Sequence, residues 1–136
     1  RALETGSADY LQARQSAAAV LRMLAPSPNP KRRLEAGKEL TGGRRGGKSS
    51  AAADRETLTR RLRALGTLFR DLHVVSSRGE PAWLSNTDLA DELNELARSY
   101  AGDRARRGYA SVDRAVQALA RNASPKVVVD WLTLQF

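Results

Sequence analysis

The sequence predicts an all-α fold, a bundle of five or six helices. Apolar residues recur at spacings of three and four along most of the chain, and no strict alternation of apolar and polar residues persists long enough to make a strand. Helix-capping residues and prolines fall where the apolar stripes begin and end. The one β-branched run, Val127 to Val129, sits inside a well-capped helical segment.

The first helix is expected from Ser7, an N-cap with Asp9 in the turn that follows. Its buried stripe would be Tyr10, Ala13, Ala17, Val20, Leu21 and Leu24, with Arg14 at the edge. Pro26, Pro28 and Pro30 stop it. Lys31 to Leu40 reads as a shorter, weaker helix with Leu34, Gly37 and Leu40 on one side, and residues 41–53, almost all Gly, Arg, Ser and Ala, as a flexible loop. From Asp54 the longest helix carries Leu58, Leu62, Leu65, Leu68, Phe69 and Leu72 in one stripe and ends near Val75. Ser76 to Ser85 is a loop whose Trp83 and Leu84 should pack back onto the core.

Asn86 or Thr87 is placed to cap the next helix, whose apolar face is Leu89, Leu93, Leu96, Ala97 and Tyr100. Beyond Gly102 and the basic Arg104, Arg106 and Arg107, a further face consists of Tyr109, Val112, Ala115, Val116 and Leu119. Asn122 suits a left-handed position closing that helix. Ser124 then caps the last helix with Pro125 at its first position. That helix, Lys126 to Phe136, is apolar nearly all round, with Lys126, Asp130 and Thr133 on a narrow polar line. A helix of this kind must be covered by a bundle or by a partner, which makes Val127, Trp131, Leu134 and Phe136 the candidate interface residues.

The length of 136 residues fits a single domain over 1–136, with the basic loop at about 41–53 inside it. The chain has no Cys and one His, so it has no residues for disulfides, thiolate nucleophiles or multi-His metal sites. That inventory fits a reducing, cytoplasmic setting. No apolar run approaches the roughly 20 residues that span a bilayer, and Arg1 to Gly6 lacks a signal-peptide pattern. A start at Arg, without an initiator Met, is compatible with a piece of a longer protein, or with processing. The net charge of +8 makes nucleic acid or an acidic partner an electrostatically suitable neighbour.

Gly42 to Ser49 matches the phosphate-loop pattern G-x-x-x-x-G-K-[ST]. A phosphate loop needs a buried strand leading into its glycines. The preceding Lys31 to Leu40 is charged at six of ten positions, and no later strand supplies a magnesium-binding Asp, so the match is read as compositional. Between residues 26 and 50, seven cations stand against Glu35 and Glu39, without interleaved aromatics for base stacking. Arg44, Arg45 and Lys48 of this stretch, with Arg104, Arg106 and Arg107, are the candidate nucleic-acid contacts. His73 is expected as a partly exposed residue at a helix end. Asp88, Asp91 and Glu92 fall where a helix start favours negative charge, and Asn122-Ala123-Ser124 is better explained by helix-boundary chemistry than as a glycosylation sequon. No nucleophile, base and oxyanion donor are brought together by these patterns, so no catalytic residue, metal or cofactor is expected.

Arg1-Ala2-Leu3 at the start, Phe69-Arg70-Asp71-Leu72 late in the long helix, Leu84-Ser85-Asn86 before the next one and Asn122-Ala123-Ser124-Pro125-Lys126 before the last form an ordered set of landmarks. In that order they resemble the C-terminal region of the delta prime family of bacterial DNA polymerase III clamp-loader subunits. Arg1-Ala2-Leu3 is similar to the end of the Gly-Arg-Ala element that closes the AAA+ lid, without its Gly. Phe69-Arg70-Asp71-Leu72 resembles the family's aromatic-Arg-Asp stretch late in a long helix, and Leu84-Ser85-Asn86 its Leu-x-Asn. Asn122-Ala123-Ser124-Pro125-Lys126 is similar to its Asn-x-Asn-Pro element before an apolar final helix, with Ser124 in place of the second Asn. The resemblance spans almost the whole chain, with residues 41–53 as an insertion. It implies a helical collar domain that joins subunits into a ring, with partners among the gamma/tau and delta subunits, while nucleotide chemistry belongs to the AAA+ domains. The gamma/tau family shares the architecture. The alternatives from other classes are a basic helical nucleic-acid-binding module and an ATPase built on Gly42 to Ser49.

Overall fold

The computed structural model describes residues 2–42 and 50–136, and within them the chain is all-α, with six α-helices and no strand. Helix α1 spans Ala2–Leu24. It runs back through Gly6 over the good helix formers Ala2, Leu3 and Glu4, so Ser7 is an interior residue and not the expected cap. Ala13, Ala17, Val20, Leu21 and Leu24 are buried as the spacing predicts, and Arg14 lies at their edge. Tyr10 departs from the expected stripe. It is 47% exposed, with its hydroxyl donating to the Asn86 side-chain oxygen at 3.5 Å and the Arg14 guanidinium 5.8 Å from its ring.

Helix α2 spans Pro30–Thr41. Pro30 therefore starts it, at the position where a missing N–H costs nothing, and Asn29 caps it by accepting the Arg32 N–H at 2.8 Å. Its buried residues are Ala36 and Leu40, whereas Leu34 is exposed. Leu34 and Leu40 are six residues apart, which puts them about 120° apart round a helix, too far for one buried stripe. Gly42, at φ +90°, closes α2 in the left-handed region.

Helix α3, Ala51–Ser76, is the longest element. Ser50 accepts the Ala53 N–H at 3.0 Å, so residues 51–53 are the first turn of this helix and not part of a loop. Its predicted stripe from Leu58 to Leu72 is buried throughout, and α3 packs against α1, α2 and the three helices that follow. The connection after α3 contains two single 3₁₀ turns, Pro81–Trp83 and Thr87–Leu89. Leu84 packs inward as expected, but Trp83 stays 57% exposed.

Helix α4, Ala90–Leu96, is short, and turns carry the chain from it to Gly102 at φ +70°. Tyr100 in that stretch is buried, with its hydroxyl donating to the Leu21 carbonyl at 2.7 Å, and this burial pushes the phenol above its ordinary pKa. Helix α5, Arg104–Ala120, buries Ala105, Gly108, Val112, Ala115 and Leu119, while Tyr109 faces outward. Asn122 takes the expected left-handed conformation, φ +70°. Helix α6, Pro125–Thr133, follows. Phe69 of α3 sits at the centre of the core, edge-on to Tyr100 at 5.7 Å and 5.4 Å from the Phe136 ring.

Candidate functional site

The expected interface lies on α6, whose start is fixed locally: Ser124 accepts the Val127 N–H at 3.4 Å and Pro125 occupies the first position. Val128, Val129 and Leu132 turn into the core. Thr133 joins them, contrary to its assignment to the polar line. Burial is tolerable because its hydroxyl donates to the Asp130 carbonyl at 3.2 Å and the residue faces α2 where Gly37 has no side chain. The exposed polar line is thus Lys126 and Asp130, paired at 3.1 Å.

On the outer side, Val127 and Leu134 are 63% and 67% exposed, and Trp131 between them is half-buried with the Arg114 guanidinium 5.9 Å from its ring. Spacings of four and three place these three on one face. Phe136 does not join them. It folds inward against Phe69 and is half-buried there, so the structure divides the expected interface three to one.

The predicted cationic residues separate more sharply. Arg44, Arg45 and Lys48 lie outside the described residues, as does the phosphate-loop pattern after Gly42. What precedes that pattern is helix α2, where a phosphate loop requires a strand. Arg104 is turned into the protein: its guanidinium donates to the carbonyls of Leu24 at 2.6 Å, Ala25 at 3.1 Å and Ser99 at 2.7 Å, and stacks 4.3 Å from the Tyr100 ring. Arg106 is paired with Asp103 at 3.0 Å, a bond that holds the Asp103 carboxyl below its ordinary pKa. Arg107 is exposed.

Arg104 belongs to a wider pattern that sequence reasoning missed. Arg33 donates to the carbonyls of Thr133, the last residue of α6, and of Phe136 beyond it, Arg55 to that of Ala123 beyond α5, and Arg61 to those of Leu40 and Glu39 at the end of α2. With Arg104 at the end of α1, three helices (α1, α2 and α6) have orphan C-terminal carbonyls met by an arginine from elsewhere in the bundle, and Arg55 ties down the connection after α5. Arg33, Arg55, Arg61 and Arg104 thus have a structural role. Burial lowers the Arg61 pKa in consequence.

The carboxylates are structural as well. Asp71, fully buried, accepts the backbone N–H groups of Ser85 at 2.9 Å and Asn86 at 2.8 Å, and the Asn86 side-chain amide at 2.8 Å. Asn86 is thus anchored by its side chain to α3 and makes no side-chain cap. Asp88 forms a bidentate pair with Arg14 at 2.9 and 2.7 Å, which holds the Asp88 carboxyl below its ordinary value, and Glu92 pairs with Arg22. Asp91 is exposed in the first turn of α4, and His73 is exposed in the last turn of α3. Among the described residues, no three His, Asp or Glu side chains stand close enough to hold a metal ion, and no helix is long and apolar enough to cross a membrane.

No family model, curated protein or solved structure matches the chain, so the residues themselves carry the functional argument.

Proposed function

We propose that this chain is a non-catalytic assembly domain, the collar domain of a delta prime-like subunit of a bacterial DNA polymerase III clamp loader. The observation that carries the reading is the outer face of α6, where Val127 and Leu134 stand more than 60% exposed on either side of Trp131. Covering a Val or Leu side chain stabilises by about 1.5–3 kcal/mol, so a face of this kind favours burial against another subunit. The landmarks behind the resemblance support the same reading. Phe69-Arg70-Asp71-Leu72 and Leu84-Ser85-Asn86, distant in sequence, are joined through the Asp71 carboxylate into one structural unit. In this reading nucleotide hydrolysis belongs to AAA+ modules, and this domain holds subunits in their ring.

Co-elution with the C-terminal domains of gamma/tau and delta subunits in size-exclusion chromatography tests the proposal. The domain is expected to shift into a complex, and Val127→Asp with Leu134→Asp to abolish that shift. Leu11→Asp, at an exposed position on α1, should leave it intact. Equal behaviour of the α6 and α1 variants would remove α6 from the interface.

A further inference from the structure

Helices α2 and α6 run antiparallel: Arg33 near the start of α2 reaches the Thr133 and Phe136 carbonyls, while Gly37, one turn on, faces Val129. A Cβ on Gly37 would lie 3.3 Å from Val129 Cγ1, so the helices approach closely there and leave a groove of about 660 Å³ on their outer side. Pro30, Leu34, Gly37 and Thr41 line it from successive turns of α2, which makes it about 16 Å long. Leu34 and Leu134, 62% and 67% exposed, stand on its two walls, with Val129 and Thr133 beneath. An elongated apolar trough between two helices is the shape that receives a third helix.

We infer that this groove docks an acidic amphipathic helix of about three turns from a partner protein. Charge selects that occupant. Arg33, Lys38 and Lys126 line the groove against Asp130 alone among the described residues, and Asp130 is already paired with Lys126. Glutamates flanking an apolar stripe would complement Lys38 and Arg33, whereas basic flanks would be repelled. A second copy of the chain is disfavoured because it carries the same net charge of +8. The inference rests on the assembly-domain reading, of which it names the partner's chemistry, but it does not require that partner to be a clamp-loader subunit.

The test uses the 136-residue chain and two fluorescein-labelled 14-residue peptides with the same leucines at helical spacing, one with glutamate flanks and one with lysine flanks. Fluorescence anisotropy should show the glutamate peptide binding at least about tenfold tighter, a preference that shrinks as salt is added. Leu34→Asp and Leu134→Asp should each weaken it about tenfold or more, and Lys38→Glu should narrow the preference. All three side chains are on the surface, so circular dichroism should show folded variants, and Leu34→Ser serves if Leu34→Asp is unfolded. Equal affinity for the two peptides, no binding of either, or undiminished binding by the Leu34 variant would overturn the inference. So would a dimer of the chain alone that Leu34→Asp dissociates, or binding to phosphatidylglycerol vesicles that displaces the peptide. Peptide binding without co-elution with gamma/tau and delta domains would overturn the clamp-loader reading and leave the groove standing; co-elution without peptide binding would do the reverse.

Discussion

The Asp71 carboxylate on α3 holds Asn86 twice, accepting its backbone N–H and its side-chain amide at 2.8 Å each, in a site where both residues are almost wholly buried. This clamp fixes the loop between α3 and α4. Asn86 in turn presents its oxygen to Tyr10 and Arg14 of α1, so α1, α3 and the loop before α4 meet through one buried polar pair. Replacing Asp71 by Ala leaves the Ser85 and Asn86 N–H groups without their acceptor. Hydrogen bonds to a charged group contribute about 1.5–3 kcal/mol, and stranded buried donors add to the loss. Asp71→Ala is expected to lower unfolding stability by about 3 kcal/mol or more in urea denaturation. A change below 1 kcal/mol would show that the clamp does not hold the loop.

Gly108 and Gly66 should respond to Ala with opposite signs. Both are buried and helical, and Ala gains about 1 kcal/mol over Gly in a helix interior. A Cβ at Gly108 would meet three atoms of the Phe69 ring at 2.5 to 2.7 Å, and that ring is held by Tyr100 and Phe136. Overpacking of this kind costs about 1–3 kcal/mol, enough to outweigh the propensity gain. At Gly66 the nearest atom, Val112 Cγ1, is 3.5 Å away, an ordinary contact. Thermal melts should show Gly108→Ala destabilised and Gly66→Ala unchanged or raised.

Arg104→Gln separates the structural role of this residue from a nucleic-acid role. Loss of a guanidinium that satisfies three carbonyls and covers Tyr100 should cost about 2 kcal/mol of stability. Affinity for primed DNA, whatever its value in the parent chain, should be unchanged by the substitution. A variant of full stability that binds DNA more weakly would assign Arg104 to nucleic acid instead.

The Arg14–Asp88 pair gives a pH dependence with a defined sign. The Asp88 carboxyl is held low chiefly by its hydrogen bonds from Arg14, so the folded pKa lies below the unfolded one. Its stabilising contribution is complete above the unfolded value, near pH 4, and is lost as pH falls through the folded value. The stability difference between the parent chain and Asp88→Asn should accordingly be present at neutral pH and shrink below about pH 4. A difference that grows on acidification would reverse the assignment.

The helices that could be read from the sequence are those whose signals are local. The α3 stripe from Leu58 to Leu72, the Ser124-Pro125 start of α6 and the left-handed Asn122 each depend on residues within a few positions of one another. Tertiary partners decide elsewhere: Leu34 and Trp83 are apolar but stay exposed, and Thr133 is polar but fits against Gly37. At Ser7, a good cap by type, the helix formers Ala2, Leu3 and Glu4 carry the helix past it. The candidate interface was legible as an apolar helix, but the inward turn of Phe136 depends on Phe69, 67 residues away in sequence. The arginine caps had no local signature at all, because each arginine and its carbonyls lie on separate elements. Net charge suggested a partner, yet Arg33, Arg61 and Arg104 serve helix ends.

The proposed joining of subunits by this domain is read directly from its mass by light scattering, alone and with the C-terminal domains of gamma/tau and delta subunits. A stable complex is expected, with a mass equal to the sum of its members, which Leu134→Asp dissociates. A chain that stays monomeric with every one of those partners would contradict it.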